Sequence, residues 1–317
     1  MLPATSEHRL DLDPEIRAFA ASSDRRFNAE FDALPPAEQR RLYNAWCLEW
    51  SSPRPNELSV ADFLVPTDEA KVPVRLYRRR DCIGNLPVVL YMHGGGWVLG
   101  SPETHDQVTS NMALATGAVV LSVDYRLAPE HKFPAAFNDC YGVLSWLVEA
   151  GPGLGIDPSR LAVAGDSAGA NLAAALSLAA RDRQGPAIAF QALIYPGLRF
   201  QRPAGIDADS PGLAAESISV YAKAYLAKAA DATHPYAAPL HARDFSKLPP
   251  AYIAAAWFDV LREDSSLYAE KLREAGVEAT YQCAPGLVHT YLRTIHCCAA
   301  AQKEFLAVCH AIKKALT

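Results

Sequence analysis

Ser167, Asp259 and His289 are the residues whose types and order could do chemistry together. Ser167 lies in Gly165-Asp166-Ser167-Ala168-Gly169, between a short apolar run and a stretch rich in small residues. Gly165 and Gly169 remove side chains where the backbone must double back, so the serine can sit in a strained turn with its hydroxyl exposed. Such a hydroxyl attacks a carbonyl only if a base takes its proton, and the base needs an acid to fix its tautomer. Asp259, in Trp-Phe-Asp-Val-Leu-Arg-Glu-Asp, and His289, in Ala-Pro-Gly-Leu-Val-His-Thr-Tyr, follow Ser167 in the order a nucleophile elbow requires. Each element also has a plainer reading: a Gly-rich turn, a surface histidine, an ordinary acid. Asp124, Glu263 and Asp264 compete with Asp259, although Asp264 is better explained as a helix N-cap.

A further string, His93-Gly94-Gly95-Gly96-Trp97, directly follows an apolar run. Three glycines let backbone N–H groups approach a ligand oxygen, the requirement of an oxyanion hole.

These sites need elements to position them. Short β-rich runs cover Val60 to Val65, Val72 to Arg78 and Leu86 to His93. Strands at Ala118 to Val123, Leu161 to Ala164, Phe190 to Tyr195, Ala251 to Trp257 and Ala279 to Cys283 then alternate with helices at Thr104 to Thr116, Pro134 to Glu149, Ala168 to Arg183, Asp264 to Ala275 and Ala299 to Leu316. Continuous apolar strands separated by helices predict an α/β fold, a doubly wound parallel sheet covered on both faces, with ligands bound beyond the strands' carboxyl ends. Two segments stand outside the alternation. Residues 10–50 predict a pair of helices, with Ile16, Phe19, Phe27 and Phe31, then Leu42, Trp46 and Trp50, at helical spacing, and Ser51 to Pro55 reads as a linker. Gly197 to Ala232 holds a loop with Pro203 and Gly205, then a helical stretch with Ile218, Tyr221 and Tyr225 on one face.

Together with Asp124-Tyr125-Arg126-Leu127-Ala128-Pro129-Glu130, the His-Gly-Gly-Gly and Gly-Asp-Ser-Ala-Gly strings and the downstream Asp and His resemble the hormone-sensitive lipase family of α/β-hydrolases, the bacterial family IV esterases. The likeness runs from about residue 60 to the end of the chain. It implies an α/β-hydrolase fold: an eight-stranded, mostly parallel sheet with helices on both faces and a helical cap. The implied division is a cap segment at 1–55, a catalytic domain at 56–317 and a second cap insertion at about 198–232. It also implies Ser167 as nucleophile, Asp259 as acid, His289 as base, and the N–H groups of Gly94, Gly95 and Ala168 as oxyanion donors. The implied activity is serine carboxylesterase, with a specialised acetyl-hydrolase or amidase as the alternative on the same triad. A binding module on this fold would lack the catalytic histidine, which His289 argues against. Trp97, Leu213 and Ile218 are expected at the substrate, beside Phe27, Phe31, Trp46 and Tyr221, and short to medium acyl chains are implied. Two departures, Val260-Leu261-Arg262-Glu263-Asp264 for the usual Pro-Leu-Arg-Asp-Glu and Thr290-Tyr291 for the usual Gly-Phe, bear on the pocket wall beside His289.

Bulk properties agree with a small-molecule ester and water as partners. A chain of 317 residues, 50% hydrophobic with net charge −5, lacks a basic footprint for nucleic acid. The cluster Arg75, Arg78, Arg79 and Arg80 reads as a solvated hairpin face. The longest apolar runs are too short for a membrane span. Glu7, His8, Arg9, Asp11, Asp13 and Glu15 interrupt any signal-peptide core, and seven cysteines without framework spacing read as free thiols, so a cytoplasmic protein is expected. His296-Cys297-Cys298 and Cys309-His310 lack metal-site spacing, and no metal or organic cofactor is expected. Monomer and homodimer are both open, and Asp166 has no derivable role.

Overall fold

The structure, a computed structural model, describes residues 11–201 and 210–317. Glu7, His8, Arg9, Pro203 and Gly205, which entered the sequence reading, lie outside the described residues.

Eight strands form one sheet: β1 Leu58–Pro66, β2 Lys71–Arg79, β3 Leu86–Met92, β4 Val119–Val123, β5 Ile156–Asp166, β6 Phe190–Ile194, β7 Ala251–Phe258 and β8 Ala279–Val288. Their spatial order is β1-β2-β4-β3-β5-β6-β7-β8. The β1/β2 and β2/β4 junctions are antiparallel and the remaining five are parallel. Strands β3, β4 and β6 are apolar without alternation because helices cover both faces, and β4 and β6 are buried throughout. Helices α4 Asp106–Thr116 and α9 Ala299–Leu316 pack together, as do α5 Ala135–Ala150 and α6 Ala168–Asp182, while α8 Arg262–Glu274 covers β7 and β8. Every residue of α6 from Ala168 to Ala180 is buried. Its alanines bring the helix close against β3, β5 and β6.

Two strands run further than their apolar cores suggest. β5 begins at Ile156, where the polar Asp157 to Arg160 would read as loop, because Ile156 already pairs with Leu86. β8 continues to Val288, beyond a bulge opposite β7, and so delivers its end to the site.

The N-terminal region holds three helices rather than two: α1 Arg17–Arg26, the four-residue α2 Ala29–Asp32 and α3 Pro36–Glu49. The break is capped by Asn28, whose side chain accepts the N–H groups of Glu30 and Phe31. Phe19 and Phe27 each meet the Trp46 ring, at 5.1 and 4.8 Å between centroids. Arg40 fastens α3 to the sheet's loops, donating to the carbonyls of Val98 and Ala128 and to the Glu130 carboxylate. The later helix α7 Ala215–Tyr225 lies against the same region, with Ser217 Oγ 3.4 Å from Asp32 Oδ2 and Ser23 Oγ donating to Gly212 O.

Asp264 is not a helix N-cap. Its Oδ2 accepts the N–H groups of Leu198 and Arg199, and its Oδ1 accepts Arg199 Nε, so it pins the chain after β6. Burial pushes its carboxyl up to about 6. The arginines of the β1/β2 hairpin are occupied: Arg75 by Asp62 and Glu103, Arg78 by the carbonyls of Leu154 and Gly84, Arg79 by Asp81 and Arg80 by Asn56 O.

Candidate active site

Strand β5 ends at Asp166 and α6 starts at Ala168, leaving Ser167 alone to make the turn at φ 55°, ψ −118°. A non-glycine residue there is strained and persists only when its surroundings over-determine it. The flanking glycines provide that setting. A Cβ on Gly169 would fall 2.0 Å from Met92 O, and one on Gly165 would fall 2.5 Å from the Gly169 backbone, so the turn closes onto β3 only without those side chains.

Asp259 directly follows β7 and His289 directly follows β8, which brings both to the same edge of the sheet as Ser167. His289 Nε2 lies 2.9 Å from Ser167 Oγ, and His289 Nδ1 lies 2.8 Å from Asp259 Oδ2. An ionised carboxylate only accepts, so Nδ1 carries the proton and the Nε2 lone pair faces the serine hydroxyl. Asp259 Oδ1 accepts the Leu261 N–H, which fixes the acid's own orientation. Asp259 and His289 are buried, whereas Ser167 is partly accessible. Of the acids that competed with Asp259, Asp124 lines a different cavity with Asp62 and Arg75, and Glu263 pairs with Arg199. Thr290, where the resembling family has glycine, sits at φ 64°.

The glycine loop requires a correction. The Gly94 N–H donates to Asp166 Oδ1 at 3.0 Å, so it is not available to a ligand oxygen. Gly95 and Gly96 line the cavity at Ser167, and among the described residues neither their N–H groups nor that of Ala168 meets a protein acceptor. As the first residue of α6, Ala168 has no intrahelical acceptor, and the helix dipole adds positive potential there. Gly95 turns the loop at φ 122°, with its carbonyl accepting the N–H groups of Val98 and Leu99.

Asp166 holds this loop. Besides Gly94 N–H, Oδ1 accepts the Tyr91 hydroxyl at 2.7 Å and lies 3.3 Å from His105 Nε2, and Oδ2 lies 3.4 Å from the Tyr195 hydroxyl. Burial alone would raise its carboxyl, but His105, Arg293 and Tyr91 outweigh that and hold it below the usual carboxylate range. Burial and the adjacent Arg293 push His105 down. Arg293, buried, donates to the Thr104 carbonyl and the Tyr43 hydroxyl. Tyr125 stacks on His93 at 4.2 Å and donates to His93 O, while Arg126 pairs with Asp139. The Asp-Tyr-Arg-Leu-Ala-Pro-Glu string thus braces the glycine loop from behind.

Two cavities meet at Ser167. One, of about 60 Å³, is walled by Phe27, Tyr43, Trp46, Leu213 and Tyr221 together with Gly95, Gly96 and His289. The other, of about 50 Å³, is walled by Trp97, Phe200, Leu213, Ile218 and Leu261. The expected contacts Trp97, Leu213 and Ile218 all line the second, whereas Phe31 packs edge-on against Phe27 and lines neither. Asp32 and Ser217, which sequence reasoning missed, line the first. Among the described residues, the one set of donors close enough for a metal is Asp13, Glu15 and Cys298. Its acids serve the backbone, Asp13 accepting Glu15 N–H and Glu15 accepting Ala299 N–H at the start of α9.

A family model described as the alpha/beta hydrolase fold matches residues 89–293. Esterase LipI of Mycobacterium tuberculosis is 42% identical over 74% of this chain and 76% of its own. An arylesterase of Saccharolobus solfataricus is 33% identical over 89% of this chain and 93% of its own. Among solved structures, a hyperthermophilic esterase from Pyrobaculum calidifontis superposes with TM-score 0.90 at 35% identity, covering 97% of this chain and 100% of that one. The chain belongs to the alpha/beta hydrolase fold family, as the resemblance implied.

Proposed function

We propose that this alpha/beta hydrolase is a serine carboxylesterase in which Ser167 is the nucleophile, His289 the base and Asp259 the acid. The observation that carries the reading is the unbroken chain Asp259 Oδ2, His289, Ser167 Oγ, with both links within hydrogen-bond distance. Its relatives named esterase support carboxylic esters as the bond cleaved.

As Ser167 Oγ attacks the ester carbonyl carbon, its proton passes to His289 Nε2. The negative charge collects on the former carbonyl oxygen, which the N–H groups of Gly95, Gly96 and Ala168 receive without reorganising. The carbon–oxygen bond to the alcohol then breaks and His289 delivers its proton to the leaving oxygen. Water, deprotonated by the same nitrogen, attacks the acyl-serine and releases the acid. Asp259 stays ionised and stabilises the imidazolium formed in each half.

We assign the cap to residues 1–55 and about 198–232, with the catalytic domain at 56–317. The contacts of Ser217 with Asp32 and Ser23 with Gly212, together with Phe27, Trp46 and Tyr221 over Ser167, support one roof built from both segments. The small volumes of the two cavities, about 60 and 50 Å³, favour short acyl chains. Among the described residues no helix is long and apolar enough to cross a membrane. The unpaired thiols support a reducing, cytoplasmic setting.

A p-nitrophenyl ester series from acetate to palmitate tests the reading. Turnover should be greatest on the short members, and Ser167→Ala should lower it by about 10⁴ to 10⁶ while leaving the protein folded. Retained turnover in Ser167→Ala, or preference for palmitate, would reject it.

A further inference from the structure

The cavity beside Ser167 contains two carboxylates in opposite electrical situations. Asp166 is matched by His105, Arg293 and the Tyr91 hydroxyl. Among the described residues, Asp32 has one hydrogen-bond neighbour for its carboxylate, the Ser217 hydroxyl at 3.4 Å from Oδ2, and no basic residue acts on it. It is half-buried, and burial pushes its carboxyl up from the ordinary value. Transferring a carboxylate into such surroundings is costly unless a positive or donating group meets it.

The rest of the wall suits the same occupant. Phe27, Tyr43, Trp46 and Tyr221 line the cavity with Asp32. Aromatic faces attract a cation through their quadrupole, more strongly when water is excluded. A carboxylate that shares a cavity with four aromatic side chains is therefore chemistry suited to an ammonium group. Arg293 lies against the Tyr43 ring outside the cavity's lining, is engaged with Thr104 and the Tyr43 hydroxyl, and does not act on Asp32.

Resting on the esterase reading, we propose that the cavity selects esters carrying an aliphatic ammonium group, whose N–H⁺ meets the Asp32 carboxylate while its alkyl groups meet the aromatic wall. Asp32 is then a specificity-determining residue: it leaves acyl transfer to Ser167 and His289 and decides which substrate is held for it.

A matched pair isolates this: 2-(dimethylamino)ethyl acetate, protonated at neutral pH, and 3-methylbutyl acetate, in which CH replaces the ammonium nitrogen. Binding to the Ser167→Ala protein, measured by calorimetry, does not depend on turnover. The ammonium ester should bind at least about tenfold more tightly than its neutral counterpart, as a charge-assisted hydrogen bond requires. In Ser167→Ala/Asp32→Asn that preference should vanish while the neutral ester still binds. Equal affinities in Ser167→Ala, a preference that survives Asp32→Asn, or loss of both ligands in the double variant would each overturn the proposal. Turnover of the same pair by the unaltered protein is a separate readout: hydrolysis of neither ester, with the binding preference intact, would reject the esterase reading and leave the ammonium site standing.

Discussion

Replacing Asp166 by asparagine preserves the shape of the side chain next to Ser167, the proposed nucleophile, and deletes its charge. Two consequences can be worked from the contacts. The first is electrostatic: Asp166 is the one carboxylate among the strongest influences on buried Arg293, so Asp166→Asn leaves that cation without its counter-charge. Breaking a buried charge set from one side costs about 3–5 kcal/mol. The guanidinium keeps Thr104 O and the Tyr43 hydroxyl, which favours the lower end, about 3 kcal/mol at pH 7. Guanidinium unfolding followed by tryptophan fluorescence measures it, and a domain with about 5–15 kcal/mol of stability stays folded. The depressed carboxyl also sets a sign. A carboxylate held below its unfolded value stabilises the fold above about pH 4 and loses that contribution as the pH falls towards its folded value. The stability gap between the two proteins should therefore close in acid. The second consequence is catalytic: Asp166 anchors the Gly94 N–H, and the next two N–H groups are the proposed oxyanion donors. Loosening the anchor should lower kcat about tenfold with KM little changed, less than the about 10² to 10³ expected for deleting a donor. A loss below about 1 kcal/mol at pH 7, or a gap that persists unchanged in acid, would refute the reasoning.

Gly95→Ala should be more damaging to turnover than to folding. A Cβ there meets Leu99 O at 2.3 Å in a backbone at φ 122°, so the donor loop must move and kcat/KM should fall by at least about 10², with circular dichroism reporting the retained fold. Asp264→Asn tests the opposite pH sign. Because burial raises this carboxyl to about 6, its contribution is largest below about pH 4 and is lost as the pH rises through about 6. Thermal melts should show the unaltered protein losing about 2–3 kcal/mol relative to Asp264→Asn across that window, and a constant difference would contradict the assignment.

Much of the fold was legible because its signals are local and repeated. Continuous apolar runs such as Val119–Val123 between amphipathic helices imply parallel crossovers, and the candidates Ser167, Asp259 and His289 stand after three strand ends in an order whose roles the family resemblance implies. What was not legible depends on pairings across the chain. Which glycine N–H groups face the cavity is decided by Asp166, which takes Gly94's from a distant strand end. Asp264 resembles a helix cap in sequence, but its partners are Leu198 and Arg199 after β6. Asp32 looks like an ordinary surface acid of a short helix, and only the approach of α7 turns it into a pocket wall. The count of N-terminal helices turns on Asn28, whose residue type suits a cap and whose side chain starts a separate short helix after α1.

The close approach of Gly169 to Met92 ties the reactive centre to the order of assembly. The turn at Ser167 packs against Met92 O of β3 with no room for a side chain at Gly169, and the Ser167 N–H donates to Ile194 O of β6, so the peptide that carries the proposed nucleophile takes this shape only where β3, β5 and β6 lie side by side. A chain in which those strands are apart has no contact that holds Ser167 at φ 55°, so it should be inactive even where the following helix has formed. Ester cleavage by this protein therefore reports the completed central sheet, and recovery of turnover during refolding should not precede the pairing of β3, β5 and β6.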